Sequence, residues 1–176
     1  MKQEKTGLLV IGLLLVAVIG ISIWSMEPTE DILTEAIVVA NEKFTENSVE
    51  VNSETDELSM YVPESFVVVE ESPNNVILSR EEQQYILFYN SFEPVTSKLN
   101  YEAASKDTDS LVLESFEEND RFGYIYITSE EANDKAFLLQ IGVGGVKITT
   151  ISSKNEILYD VEQMMLMANS IAYKDK

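Results

Sequence analysis

The sequence predicts an α+β domain preceded by a single transmembrane helix, and three patterns support this fold class. The chain of 176 residues contains an uncharged apolar run from Gly7 to Trp24. Two amphipathic helix patterns bracket the remainder, and between them lie short alternating segments separated by turn residues. Because segments joined in this way form hairpins, we expect a mostly antiparallel sheet, packed by an N-terminal helix and a long C-terminal helix.

The apolar run is long enough to cross a bilayer. As a helix, its 18 residues would span about 27 Å, close to a hydrocarbon core of about 30 Å. A secretory signal has a shorter apolar region and ends at a small-x-small site. Here the nearest such match, Gly20 to Ser22, is followed by the bulky Ile23 and Trp24, and tryptophan is typical of membrane interfaces. We expect a retained signal-anchor at residues 7–26, with secretion after cleavage near Ser22 as the alternative.

The flanking charges predict the orientation of this helix. Before the run lie Lys2 and Lys5, and after it lie Glu27, Glu30 and Asp31. By the positive-inside rule, residues 1–6 form a cytoplasmic tail and residues 27–176 form an extracytoplasmic domain. The first expected partner is therefore membrane lipid, contacted through residues 7–26, and the expected localisation is the cell membrane.

Composition excludes several classes of function. Of the 12 basic residues Lys2 and Lys5 precede the run, and of the 31 acidic residues only Glu4 does, so residues 27–176 carry a formal charge of −20. Such a surface repels phosphate backbones, and nucleic acid is not an expected partner. The sequence contains no cysteine and no histidine, which removes disulfides, thiolate catalysis and the usual general base.

The helix patterns predict three elements outside the membrane. The first begins at Thr29 and continues to about residue 45, with apolar residues at three- and four-residue spacing. A short helix over residues 97–105 is expected to turn Leu99 inward. The last helix is expected to be capped by Asn155, and its apolar stripe must be buried, most simply across the sheet.

Three hairpins are predicted where alternating segments flank turn-rich sequences. The paired segments are Val76–Ser79 with Gln84–Tyr89, Leu111–Phe116 with Phe122–Thr128, and Ala136–Ile141 with Val146–Ile151. Their connections read REEQ, EENDR and GVGG, and the glycines of the last permit positive φ.

This order of elements, with the segment YVPESF at Tyr61–Phe66, resembles the Mog1/PsbP-like fold over most of residues 58–173. That fold occurs in photosystem accessory proteins, nuclear-transport cofactors and many bacterial proteins, including envelope proteins. The resemblance implies binding or assembly rather than catalysis. It transfers no functional residue, because no functional motif matches, and a shared fold does not by itself define a function.

Asp107 and Asp109 are the candidate metal ligands, since carboxylate oxygens suit calcium. An EF-hand loop counted from Asp107 requires glycine at its sixth position, which Val112 occupies here. The central turn of that loop is therefore missing, so we expect a solvated loop here and assign no metal ligand, and a calcium site at Asp107 and Asp109 is the alternative.

Tyrosines on two predicted strands are the candidate residues for binding a partner. They are Tyr85, Tyr89, Tyr124 and Tyr126. Both strands alternate in a way that gives two apolar faces, of which one packs under helices. The other face is either covered by the first helix or exposed as a tyrosine-rich surface for a partner.

The sequence thus predicts a membrane-tethered extracytoplasmic interaction or accessory domain without catalytic function. No catalytic residue and no cofactor-binding residue is assigned, and an envelope protein is the expected partner. The alternative is an extracytoplasmic domain that binds a small ligand or calcium.

Overall fold

The computed structural model describes residues 28–46, 49–55, 57–130 and 136–173. It divides into two units, residues 1–32 and residues 33–176. In the first unit the described residues form the start of a helix, and the predicted anchor at residues 7–26 lies outside the described residues. No helix in the described part of the chain has the length and apolarity that a bilayer crossing requires.

Three helices occur among the described residues. They are α1 (Thr29–Thr45), α2 (Leu99–Ala104) and α3 (Ile157–Ser170). Glu30 and Asp31 lie in the first turn of α1 and Lys43 lies in its last turn, an arrangement that complements the helix dipole. Helix α1 agrees with the prediction at both ends.

The other two helices differ in detail from the prediction. Helix α3 follows Glu156, which makes no side-chain capping hydrogen bond, so the predicted cap at Asn155 is wrong. Leu99 is 58% exposed at the start of α2, whereas Tyr101 packs against the sheet. Since α2 has fewer than two turns, one narrow side of it faces the protein and Leu99 lies away from that side.

The strands form two sheets. Their bounds are β1 (Ser53–Glu54), β2 (Leu58–Met60), β3 (Val67–Ser72), β4 (Asn75–Arg80), β5 (Gln83–Tyr89), β6 (Val112–Glu118), β7 (Arg121–Ser129), β8 (Ala136–Val143), β9 (Val146–Ser153) and β10 (Ala172–Tyr173). The order in the large sheet is β3-β4-β5-β9-β8-β7-β6, and the small sheet has the order β1-β2-β10. Every pairing between described strands is antiparallel, which confirms the predicted α+β class.

All three predicted hairpins are present, and backbone conformation explains two of their turns. Asn119 and Asp120 join β6 to β7 with φ of 50° and 58°, the left-handed pair that matches the twist of tight hairpins. Gly144 joins β8 to β9 with φ of 54°. A Cβ on Gly144 would lie 2.5 Å from the Cα of Val95, so glycine also lets the loop before α2 approach this turn.

Strand alternation divides the large sheet into an inner face and an outer face. Helix α3 packs across the inner face, where Leu87 pairs with Ile148 and Ile148 pairs with Ile141. All three side chains are fully buried. Phe44 of α1 lies on the same face, with its ring centroid 5.9 Å from that of Phe116. The two long helices therefore share one side of the sheet, and the other side is left to α2 and the loops around it.

Candidate functional site

The four candidate tyrosines are buried and lie on opposite faces of the large sheet. Tyr85 and Tyr89 belong to the inner face, and Tyr124 and Tyr126 belong to the outer face. None is more than 5% exposed. They therefore do not come together as an exposed surface, and the docking role expected of them has to be placed elsewhere.

Helix α2, rather than the first helix, covers the outer-face tyrosines. The ring of Tyr101 lies edge-on to those of Phe122 and Tyr124, with centroids 5.5 and 6.1 Å apart. Gly142 makes room beneath, because a Cβ there would lie 2.1 Å from Cε1 of Tyr124. The hydroxyl of Tyr124 is buried and has no hydrogen-bond partner among the described residues, and burial raises its pKa above the ordinary value.

The inner face contains a buried polar network centred on Asp160 of α3, a residue with no solvent exposure. The Tyr85 hydroxyl donates to Oδ1 at 2.7 Å, and the Ser152 hydroxyl donates to Oδ2 at 2.6 Å. The amide of Gln83 donates to Oδ2 at 2.8 Å. Arg80 donates to Oδ1 at 3.2 Å and also pairs with Glu156 at 3.0 Å. One carboxylate thus links α3 to β4, β5 and β9.

This network is a structural clamp. Each Asp160 oxygen accepts two hydrogen bonds, so the acceptor capacity of the carboxylate is largely used. Burial, together with the hydrogen bond to Asp160 and its charge, raises the pKa of Tyr85, which keeps the phenol protonated as a donor. A saturated and buried carboxylate is poorly suited to move protons to or from a substrate.

The outer face has an open groove where α2 does not reach. It has a volume of about 640 Å³ and crosses β5, β9 and β8. Ile86 and Ile151 are 49% and 45% exposed in it. Leu138 lies between the groove and the tyrosine cluster, since it pairs with Ile151 and also packs against that cluster. We call this surface, defined by Ile86, Ile151 and Leu138, the apolar groove.

An acidic cleft of about 520 Å³ adjoins the apolar groove, and Leu138 lines both. Asp107, Asp109 and Glu130 also line the cleft. The Tyr126 hydroxyl donates to Asp107, and the backbone N–H of Asp109 donates to the same side chain at 3.0 Å. These two hydrogen bonds lower the pKa of Asp107. The candidate metal ligands are therefore close together in one loop, and Asp107 accepts one hydrogen bond from that loop and one from Tyr126 of β7.

Within the described ranges, no group of three or more acidic side chains is arranged to hold a metal ion. Asp107 and Asp109 supply two carboxylates, whereas calcium takes six to eight oxygen ligands. Calcium binding at this loop stays a prediction.

A second exposed apolar surface lies at the opposite end of β9. Phe92 is 89% exposed, on a loop fixed by hydrogen bonds from Asn90 and Ser97 to the carboxylate of Glu93 at 2.8 and 2.6 Å. The backbone N–H of Asn90 donates to Gly145, beside the turn that precedes β9. Phe92 is therefore a projecting side chain, in contrast to the recess of the apolar groove.

Sequence reasoning missed both the Asp160 network and the apolar groove. A signal for the first was present, because Asp160 lies three residues after Ile157 and four residues before Met164, at the spacing of the apolar stripe of α3. A signal for the apolar groove was the alternation of side chains along β5 and β9. It places Ile86 and Ile151 on the face of the sheet that Tyr85 and Thr150 do not occupy. What the sequence did not reveal was that α2 packs over Phe122 and Tyr124 and leaves these two isoleucines exposed.

Comparison with known proteins gives no assignment: no protein-family model matches the chain, and no curated protein matches it significantly. The contrast between the two faces of the large sheet is therefore the basis for the proposed function.

Proposed function

We propose that the chain is a single-pass membrane protein whose extracytoplasmic domain binds a partner protein in the apolar groove and has no catalytic role. The observation that carries this proposal is the exposure of Ile86 and Ile151 on adjacent central strands of a folded sheet. Central strands are ordinarily covered on both faces when both faces are apolar. An uncovered apolar area with a polar border is typical of a site for a protein partner.

The chemistry of the described acids supports binding over catalysis. Asp160 is enclosed by its four donors, and the low pKa of Asp107 keeps it ionised at neutral pH. General acid catalysis by a carboxyl group requires a raised pKa in a cleft that reaches substrate. Asp160 is fully buried and does not reach a cleft, and the pKa of Asp107 is lowered rather than raised.

The flanking sequence supports the tether. Uncharged residues from Gly7 to Trp24 match the length of a bilayer core, and basic residues precede them. A domain held at a membrane surface gains effective concentration for partners in the same membrane, so even a small docking surface is useful there. The partner expected on this basis is another envelope protein.

Site-specific photo-cross-linking in intact cells tests the docking role. A photo-reactive phenylalanine analogue at Ile151 should give one discrete protein adduct, and Ile86→Asp in the same chain should abolish it. Val67 on the edge strand β3 is the matched control, because it is 61% exposed and lies outside the groove. An adduct of equal strength from Val67 or from Phe92, or no adduct from Ile151, would contradict docking in the groove.

Protease treatment of whole cells tests the tether. Protease added outside should degrade the domain, and the undigested chain should have its full mass in the membrane fraction. A mature chain that begins near Ile23 in the culture medium would overturn the anchor and support the secreted alternative.

A further inference from the structure

We infer that the apolar groove accepts an extended segment of a partner protein in which a lysine or arginine lies about four to six residues from the first of two apolar side chains. This inference rests on the proposed docking function and specifies the chemistry of the partner. It follows from the continuity of the apolar groove with the acidic cleft.

The two recesses form one path across the sheet. Ile151 of β9 pairs with Leu138 of β8, and Leu138 pairs with Thr128 of β7. The hydroxyl of Thr128 donates to the backbone carbonyl of Asp109 at 3.5 Å, so this row of residues ends at the acidic loop. Ile86 of β5 pairs with Thr149, two residues along β9 from Ile151, so it lies beside this row. Three strand spacings across the sheet and two residues along the strands separate Ile86 from Thr128, a distance of about 16 Å.

That distance sets the spacing of the partner's side chains. An extended chain advances about 3.3 Å per residue, and side chains on one side recur at every second residue. About five residues therefore span the distance from Ile86 to the acidic loop, and the same-side positions nearest to that length are four and six residues from the first apolar side chain. A segment of the form apolar-x-apolar-x-basic, or one with two more residues before the basic residue, places two apolar side chains in the groove and a cation in the cleft.

The charges of the path favour a basic partner. Among the described residues Asp107 and Asp109 make no ion pair, and both line the acidic cleft. Glu82 lines the other end of the groove. A carboxylate on the partner would meet like charge at both ends, whereas lysine or arginine would be attracted. Anionic lipid is disfavoured for the same reason.

Peptide binding to the full chain in a non-ionic detergent tests this inference. The probe is a fluorescein-labelled nine-residue peptide with leucine at positions 2 and 4, lysine at positions 6 and 8, and serine elsewhere. One control peptide replaces both lysines with glutamate, and another replaces both leucines with serine. Fluorescence anisotropy at about 150 mM salt, where distant charges are screened, should show binding of the probe and at least fivefold weaker binding of each control.

Two double variants separate a specific site from attraction to net charge. Asp107→Asn with Asp109→Asn should weaken binding about fivefold, since two exposed ion pairs contribute modestly. The amide oxygen introduced at position 107 still accepts the hydrogen bond from Tyr126, so the loop keeps its contact with the sheet. The matched control removes two exposed charges at Glu64→Gln and Glu70→Gln, outside the groove, and should change affinity less than twofold. Equal weakening by both double variants, or preference for the acidic peptide, would overturn the inference.

The failure of this inference is distinguishable from the failure of the docking role. If the adduct from Ile151 forms but its partner segment lacks lysine and arginine, the docking role stands and the partner chemistry is wrong. If Ile151 gives no adduct, the docking role itself fails.

Discussion

The two faces of the large sheet are completed in different ways. On the inner face, helix α3 brings Asp160 over the sheet, and the donors around it use the acceptor capacity of the carboxylate. On the outer face, α2 covers the tyrosines, leaves the Tyr124 hydroxyl without a partner and does not reach Ile86. A face that is closed and satisfied serves stability, and a face that is partly open is available for binding. If the two faces differ in this way, substitutions on the inner face should cost more stability than matched substitutions on the outer face.

The largest expected effect is at the centre of the inner face. Asp160→Ala should lower the free energy of unfolding by about 3–5 kcal/mol, because Arg80, Tyr85 and Ser152 would lose a shared acceptor in a buried place. Urea unfolding of the full chain in a non-ionic detergent, followed by circular dichroism, measures the change. Asp109→Ala on the exposed loop is the control and should change stability by about 0.5 kcal/mol or less. A loss below about 1 kcal/mol for Asp160→Ala would show that the network is not a clamp.

A matched pair of tyrosine substitutions compares the two faces directly. Tyr85→Phe should cost about 1.5–3 kcal/mol, because it removes a hydrogen bond to a charged acceptor. Tyr124→Phe should be neutral or slightly stabilising, since its hydroxyl is buried without a partner. Both substitutions delete one oxygen from a residue no more than 1% exposed, so the difference isolates hydrogen bonding. Equal costs in urea unfolding would contradict the contrast between the faces.

Local patterns predicted more of the fold than of the candidate site. Turn residues and alternation gave the hairpins, because they depend on neighbours along the chain, as at Asn119 and Asp120. The same alternation showed that Tyr124 belongs to an apolar face. It did not show which element covers that face. The covering element is α2, and its position over the sheet depends on the loop that packs against Gly144.

The site required distances across the fold. Asp107 and Asp109 were recognised as a pair of acids, and their proximity to Leu138 comes from the pairing of β7 with β8. Asp160 meets Arg80 across 80 residues of sequence. Because such contacts depend on how strands pair and how α3 packs, the sequence showed Asp107 and Asp109 only as acids of a solvated loop and did not connect Asp160 with its donors.

The smallest expected effect is on the dependence of stability on alkaline pH. Burial raises the pKa of Tyr124, so above pH 10 the unfolded chain releases this proton while the folded chain retains it. The resulting contribution to stability is present below the unfolded pKa and is lost as pH rises toward the folded pKa, with a slope of up to about 1.4 kcal/mol per pH unit for each such group. Tyr124→Phe should make the fall in stability between pH 10 and 11 shallower by about that amount, and should leave the profile between pH 7 and 9 unchanged. Urea midpoints across this range measure the slope, and an unchanged slope above pH 10 would mean that Tyr124 is reached by solvent and that α2 does not seal the outer-face cluster.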